Sequence, residues 1–129
     1  MLEKIILEYN IKKNMQIKKN SEIQEIITRL KTGMINYMPH ASYSKSDVEN
    51  CLQIITNYFE QIEKSKSKES GITIIKETVI ALNKLNEKVD YELIETDQRE
   101  DIVELIVIGG NLKGYNDRNE DVTEDWREW

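Results

Sequence analysis

The sequence predicts a mainly α-helical protein, an irregular bundle of four or five helices within a single domain. Apolar residues recur at the three- and four-residue spacing that places them on one face of a helix. Gly and Pro, which interrupt helices, occur only five times and once, and 33% of the residues are charged, against roughly 25% in an average globular chain. A length of 129 residues suits one domain, so we expect residues 1–129 to share one core.

The first segment, from Leu2 to about Ile17, carries apolar residues at helical spacing, although the run Ile5-Ile6-Leu7 would also suit a short strand. A second helix is expected after Ser21, which precedes Gln24 by three residues as in a capping box. It should end near Gly33 or continue to Tyr37. Pro39 cannot continue a helix, so the stretch MPHASYSKS is expected to be a loop.

The third helix shows the clearest pattern. Ser46 and Glu49 form another capping-box signature, and the expected buried stripe behind it comprises Val48, Leu52, Ile55, Phe59 and Ile62, widened by Cys51, Ile54 and Tyr58. The polar run from Glu63 to Gly71 predicts a loop. The following residues resume helical spacing, while the β-branched residues between 72 and 76 leave a strand open as the alternative.

The last predicted helix begins near Thr96 or Asp97, either of which suits an N-cap, with Glu100 three residues after Asp97. Gly109 and Gly110 are expected to end it, because glycine commonly follows the last turn of a helix. A polar loop, NLKGYNDRNED, should come next. The tail DVTEDWREW is expected to form one short turn capped by Thr123.

Charge is distributed unevenly along the chain. The formal net charge is −6, yet residues 1–86 carry 13 basic and 10 acidic side chains whereas residues 87–129 carry 5 basic and 14 acidic ones. The acidic last third repels phosphates and attracts basic surfaces. We therefore expect a basic protein partner and no binding to nucleic acid.

The sequence contains no recognisable catalytic or cofactor-binding motif, so we expect neither enzymatic activity nor a cofactor. Cys51, the only cysteine, lies in an apolar helical pattern and is expected to be buried. His40, the only histidine, is expected to lie in a loop, either exposed or in a local hydrogen bond. No apolar stretch approaches the roughly 18 residues of a membrane span, and the N-terminal segment lacks the features of a secretion signal. A cytoplasmic location without membrane contact is expected.

An acidic cluster marks the start of the last predicted helix. Asp97, Asp101 and Glu104 lie at i, i+4 and i+7, and Glu95 and Glu100 stand beside them. Three interpretations are open: a solvated helix start favoured by the helix dipole, a face that binds a partner, or a metal site. A metal site would need further ligands from the acidic residues of the tail, and we expect that no metal is bound.

Two tryptophans stand near the end of the sequence, at Trp126 and Trp129, beside Asp125 and other acidic residues. Their spacing would let both dock onto the bundle from one turn. If they are exposed instead, they would be aromatic anchors within an acidic rim, a composition typical of binding sites for basic proteins.

The stretch LNEKVDYELIETDQREDIVELI and the ending DVTEDWREW resemble small bacterial proteins of the toxin-immunity type. The resemblance covers about the last third of the chain and involves residues 95–100 and 125–129. It implies a protein that binds and neutralises a cognate toxin in the cytoplasm, with the acidic third as the surface that faces the toxin.

The expected function is therefore binding of a basic protein, and the expected toxin partner makes the chain an immunity protein. The candidate partner-binding residues are Glu95, Asp97, Asp101, Glu104, Asp125, Trp126 and Trp129. Two alternatives remain: a hydrolase that uses carboxylate-bound metal, and a helical homodimer whose apolar stripe is its own interface.

Overall fold

The computed structural model describes residues 2–5 and 17–129, and within these ranges the protein is an all-helical bundle without a strand. Its long helices are α1 (Ser21–Tyr37), α2 (Lys45–Lys64), α3 (Lys68–Lys88) and α4 (Thr96–Leu112). Short 3-10 turns, Ile17–Lys19 and Met38–His40, flank α1. The predicted helical bundle is confirmed. Residues 2–5 are helical, whereas the choice between helix and strand for residues 6–16 lies outside the described residues.

The core forms around α2, which packs against each of the other long helices, while α1 and α4 pack mainly against each other. The buried stripe predicted for α2 is confirmed, because Val48, Ile55, Phe59 and Ile62 are all at most 1% exposed. Leu52 and Ile54 are half-buried at its edges. On α4, Ile102, Leu105 and Ile106 are fully buried as expected.

Two helices begin at caps that differ from the predicted ones. The side chain of Asn20, one residue before Ser21, accepts hydrogen bonds from the backbone N–H groups of Glu22 and Ile23. Ser44 and Asp47 form the capping box of α2, two residues before the predicted pair. The predictions were wrong because several polar residues at each start can accept the same hydrogen bonds, and the apolar stripe does not distinguish them.

The predicted loop from Glu63 to Gly71 is much shorter than expected. Only Ser65, Lys66 and Ser67 separate α2 from α3, because the side chain of Ser67 accepts a hydrogen bond from the N–H of Ser70 and caps the new helix. Gly71 therefore lies inside the first turn of α3. Residues 72–76 are helical, so the strand alternative is wrong.

Helix α4 also differs from expectation at both ends. Its N-cap position is Glu95, without a side-chain cap, rather than Thr96 or Asp97. Gly109 and Gly110 do not end the helix but are buried inside it. A Cβ on Gly109 would lie 2.8 Å from Cε2 of Tyr58, so glycine here permits close helix packing.

Residues 113–129 form a tail without a regular helix that folds back over the bundle. The predicted short turn is present, since the N–H groups of Trp126 and Arg127 donate to the carbonyl of Thr123. Its cap is Asp121 rather than Thr123, because the Asp121 carboxylate accepts from both the N–H and the hydroxyl of Thr123 at 2.9 and 2.6 Å.

Candidate functional site

An acidic surface lies along the contact between α1 and α4. Two adjoining hollows of about 560 and 340 Å³ share Gly33, Asp97 and Gln98 in their walls. We call this surface the α1–α4 groove. Its walls also include Arg29, Tyr37, Glu95, Glu100 and Asp101. Gly33 leaves the groove open, because a side chain here would begin 3.1 Å from Nε2 of Gln98.

Asp101 stabilises the packing of α4 against α1 and contributes little to the exposed surface. Its carboxylate is 12% exposed and accepts hydrogen bonds from Nε and Nη2 of Arg29, both to Oδ1, at 2.9 and 2.7 Å. This ion pair joins α4 to α1 in the floor of the groove. Among the described residues, Asp101 is therefore the candidate carboxylate with the closest ion pair to a basic side chain of the chain itself.

Three carboxylates along the same groove remain available. Glu95, Asp97 and Glu100 are exposed, and none of them has a basic side chain within 4 Å in the described ranges. Tyr37, at the end of α1, is 45% exposed beside them. Among the residues that the structure describes, the groove thus combines unpaired carboxylates with an exposed aromatic ring, which the sequence pattern on α1 did not reveal.

Glu104 lies outside this groove, in a second cleft of about 600 Å³ between α4 and the tail. Three arginines, Arg99, Arg118 and Arg127, also line that cleft. Glu104 lies 3.6 Å from Nη2 of Arg29. Because basic side chains interrupt the acidic surface here, the last third of the chain does not present one continuous acidic face.

Asp125 and Trp126 line a third hollow, of about 330 Å³, between the tail and the first turns of α3. We call it the tail pocket. Its walls also include Lys68, Ile72, Ile75 and Val122. Trp126 and Trp129 are half-buried and pack against the hydrophobic core, so both tryptophans dock onto the bundle. Trp126 still contributes to the wall of an open pocket.

Polar contacts hold the tail in place. The side-chain amide of Asn83 on α3 donates to the carbonyl of Trp126 at 2.8 Å and accepts from the N–H of Glu128 at 3.1 Å. Partial burial of Asp121 opposes its ionisation, but the hydrogen bonds from Thr123 and the guanidinium of Arg127 outweigh burial and lower the pKa of this carboxyl.

Within the described part of the chain, the thiol of Cys51 and the imidazole of His40 are not placed as a nucleophile and its base. Cys51 is fully buried, as predicted, and burial raises the pKa of its thiol to about 12. His40 is exposed in the turn after α1, and the centre of its ring lies 6.1 Å from the ring centre of Tyr37. Across residues 2–5 and 17–129, no three His, Cys, Asp or Glu side chains are grouped so that they could hold a metal ion.

The candidate residues predicted from the sequence thus divide among several places. Glu95, Asp97 and Asp101 meet in the α1–α4 groove, Glu104 lies in the arginine-lined cleft, and Asp125 with Trp126 lies in the tail pocket. The sequence patterns did not reveal Tyr37 and Ile72, because each is an exposed residue of a helix whose other apolar residues are buried or half-buried.

Comparison with known proteins found no family model, no curated protein and no solved structure with significant similarity to this chain. Within the described ranges, none of the helices has the length and hydropathy needed to cross a bilayer.

Proposed function

We propose that this chain is a non-enzymatic, cytoplasmic protein that binds a basic protein partner through the α1–α4 groove. The observation that supports the proposal is the set of exposed carboxylates, Glu95, Asp97 and Glu100, which lack an ion-pair partner among the described residues and stand beside the exposed ring of Tyr37. Such a surface can form new ion pairs without first breaking internal ones.

Electrostatics favours a partner of high positive charge. Residues 87–129 carry 14 acidic against 5 basic side chains, and complementary fields raise association rates by roughly 10- to 1,000-fold at low salt. Desolvating a carboxylate is costly, so the exposed carboxylates would act from the hydrated rim of the interface, and Tyr37 offers the amphipathic aromatic surface that is common at the centre of interfaces. Charge would therefore control the rate of capture, and the aromatic contact would slow dissociation.

We further propose that the partner is a bacterial toxin, which the chain neutralises by covering its basic surface. The support is the resemblance of residues 95–100 and 125–129 to immunity-type proteins, together with the chemistry of the groove. A toxin that acts on nucleic acid needs a basic cleft for phosphates, and an acidic surface can occupy such a cleft in place of the substrate.

The test compares the wild-type chain with two variants as bait in lysate of the native host, at low and at high salt. Glu95→Lys/Asp97→Lys reverses charge in the groove. Glu77→Lys is the control for charge reversal outside the groove, because Glu77 is an exposed carboxylate on α3 that lines a different hollow, against α2.

We expect the wild-type and Glu77→Lys baits to retain one basic protein at low salt and to release it at high salt. The double variant should not retain it, because two attractive charges become repulsive. Retention of the same protein by all three baits would refute the groove as the binding surface. Recovery of the wild-type bait with no bound protein would refute the proposal that the chain binds a basic partner.

A further inference from the structure

The tail pocket combines apolar walls with an acidic rim. Ile75 is 1% exposed and forms part of the buried side, whereas Ile72 is 42% exposed. Val122 and Trp126, both half-buried, contribute apolar surface from the tail. A volume of about 330 Å³ is at the small end of the roughly 300 to 1,000 Å³ of typical ligand pockets. The space suits one long side chain rather than a folded segment.

The walls of this pocket are fixed by contacts on both sides. The ring of Tyr115 lies against Gly71, where any Cβ would clash with it, and its hydroxyl lies 2.8 Å from Oγ of Ser65. Asn83 binds the backbone of the tail at Trp126 and at Glu128. A pocket held from both sides loses little conformational entropy when it is filled.

The charges around the pocket are not balanced. Asp121 is committed to Thr123 and Arg127. Asp125 is exposed and makes neither a hydrogen bond nor an ion pair through its side chain with any other described residue. Glu120 accepts a 3.3 Å hydrogen bond from the N–H of Asp117. With Lys68 as the one basic residue in a wall that includes these three acids, the surroundings carry net negative charge.

We propose that the tail pocket receives one lysine or arginine side chain of the partner protein, an inference that rests on the proposed function. The aliphatic part of such a side chain would cover Ile72, Val122 and Trp126, and its cationic end would reach the rim at Asp125. Long cationic side chains bury their stems against apolar surface while the charge stays near water. A neutral apolar side chain would leave the Asp125 carboxylate without a partner, and an anionic one would be repelled.

The pocket can be tested without the partner, by NMR on the wild-type chain. The indole N–H resonances of the two tryptophans, Trp126 and Trp129, are followed during titration with hexylammonium, and hexanol and hexanoate serve as the neutral and anionic probes. We expect a saturable shift of the Trp126 resonance with hexylammonium, about fivefold weaker binding of hexanol, as for the loss of one exposed ion pair, and no response to hexanoate.

Asp125→Asn should weaken hexylammonium binding about fivefold and leave hexanol binding unchanged. Glu124→Gln, one residue earlier and also exposed, is the matched control and should bind all probes as the wild type does. Equal binding of the three probes, a lack of saturation with hexylammonium, or equal effects of the two substitutions would overturn the proposal.

Measuring how the isolated partner binds to the same two variants distinguishes a partner's side chain from a free amine. Once the basic protein has been isolated by capture, Asp125→Asn should weaken its binding and Glu124→Gln should not. If hexylammonium binds but the partner's affinity is the same for both variants, the assignment to a partner side chain is wrong. Because the titration involves no partner, its failure is separate from a failure of the capture experiment at the α1–α4 groove.

Discussion

The same substitution at two helical glycines should have opposite effects on stability. In Gly109→Ala, the new Cβ would lie 2.8 Å from Cε2 and 2.9 Å from Oη of Tyr58. Tyr58 is 1% exposed, and its hydroxyl donates to the carbonyl of Ile106 at 2.6 Å, so the ring has little room to move. Overpacking of this kind costs about 1–3 kcal/mol, and disturbing the hydrogen bond adds about 1 kcal/mol.

Helix propensity opposes these costs, because alanine is favoured over glycine in a helix by about 1 kcal/mol. The balance for Gly109→Ala is a loss of about 1–3 kcal/mol in the free energy of unfolding. Gly33→Ala is the matched control on α1, where the nearest obstacle is the mobile end of the Gln98 side chain at 3.1 Å. It should gain about 0.5–1 kcal/mol.

Urea unfolding followed by circular dichroism measures both variants. A difference of about 1.5–4 kcal/mol between them is expected, with an unchanged dependence on urea concentration. In a Tyr58→Leu background, the penalty of Gly109→Ala should shrink, because the obstructing ring is gone. If Gly109→Ala is as stable as the wild type, or if the penalty persists without the ring, the close packing of α4 on Tyr58 is not what requires glycine.

Three further outcomes follow from the packing. Asn83→Ala removes the two hydrogen bonds between Asn83 and the tail. It should lower the free energy of unfolding by about 1–2 kcal/mol and shift tryptophan fluorescence to the red. An unchanged emission spectrum would contradict the docking of Trp126. Asp101→Asn should lower the urea midpoint more than Asp97→Asn, because only Asp101 is buried in an ion pair with Arg29; equal midpoints would contradict that role. Cys51 should resist thiol reagents in the native state across neutral pH and react once the chain is unfolded, because burial raises its pKa to about 12; rapid native labelling would contradict its burial.

Local sequence patterns predicted the helices better than their ends. The spacing of Val48, Ile55, Phe59 and Ile62 suffices for α2, because one apolar face determines both the helix and its buried side. The end of α4 depends instead on a contact with another helix. Nothing near Gly109 in the sequence shows that Tyr58 will pack against it, so a rule about glycine after helices gave the wrong boundary.

The candidate site, like the helices, could be predicted from the sequence only in part. The acidic character of residues 95–101 was visible from the sequence, but the partner of Asp101 was not, because Arg29 lies on α1. The tail pocket also needed the fold, since Ile72 on α3 and Trp126 in the tail come together only when the tail folds back. Composition identified the charge of the surface, and tertiary contacts decided which charges remain available.

Site-specific photo-crosslinking in cells of the native host tests the binding surface most directly. A photoreactive amino acid replaces Tyr37 in the α1–α4 groove and, as the control, Glu77 on α3. We predict one discrete adduct with a basic protein from position 37 and none from position 77. The same adducts from both positions, or none from position 37, would contradict the proposal that the groove binds a partner.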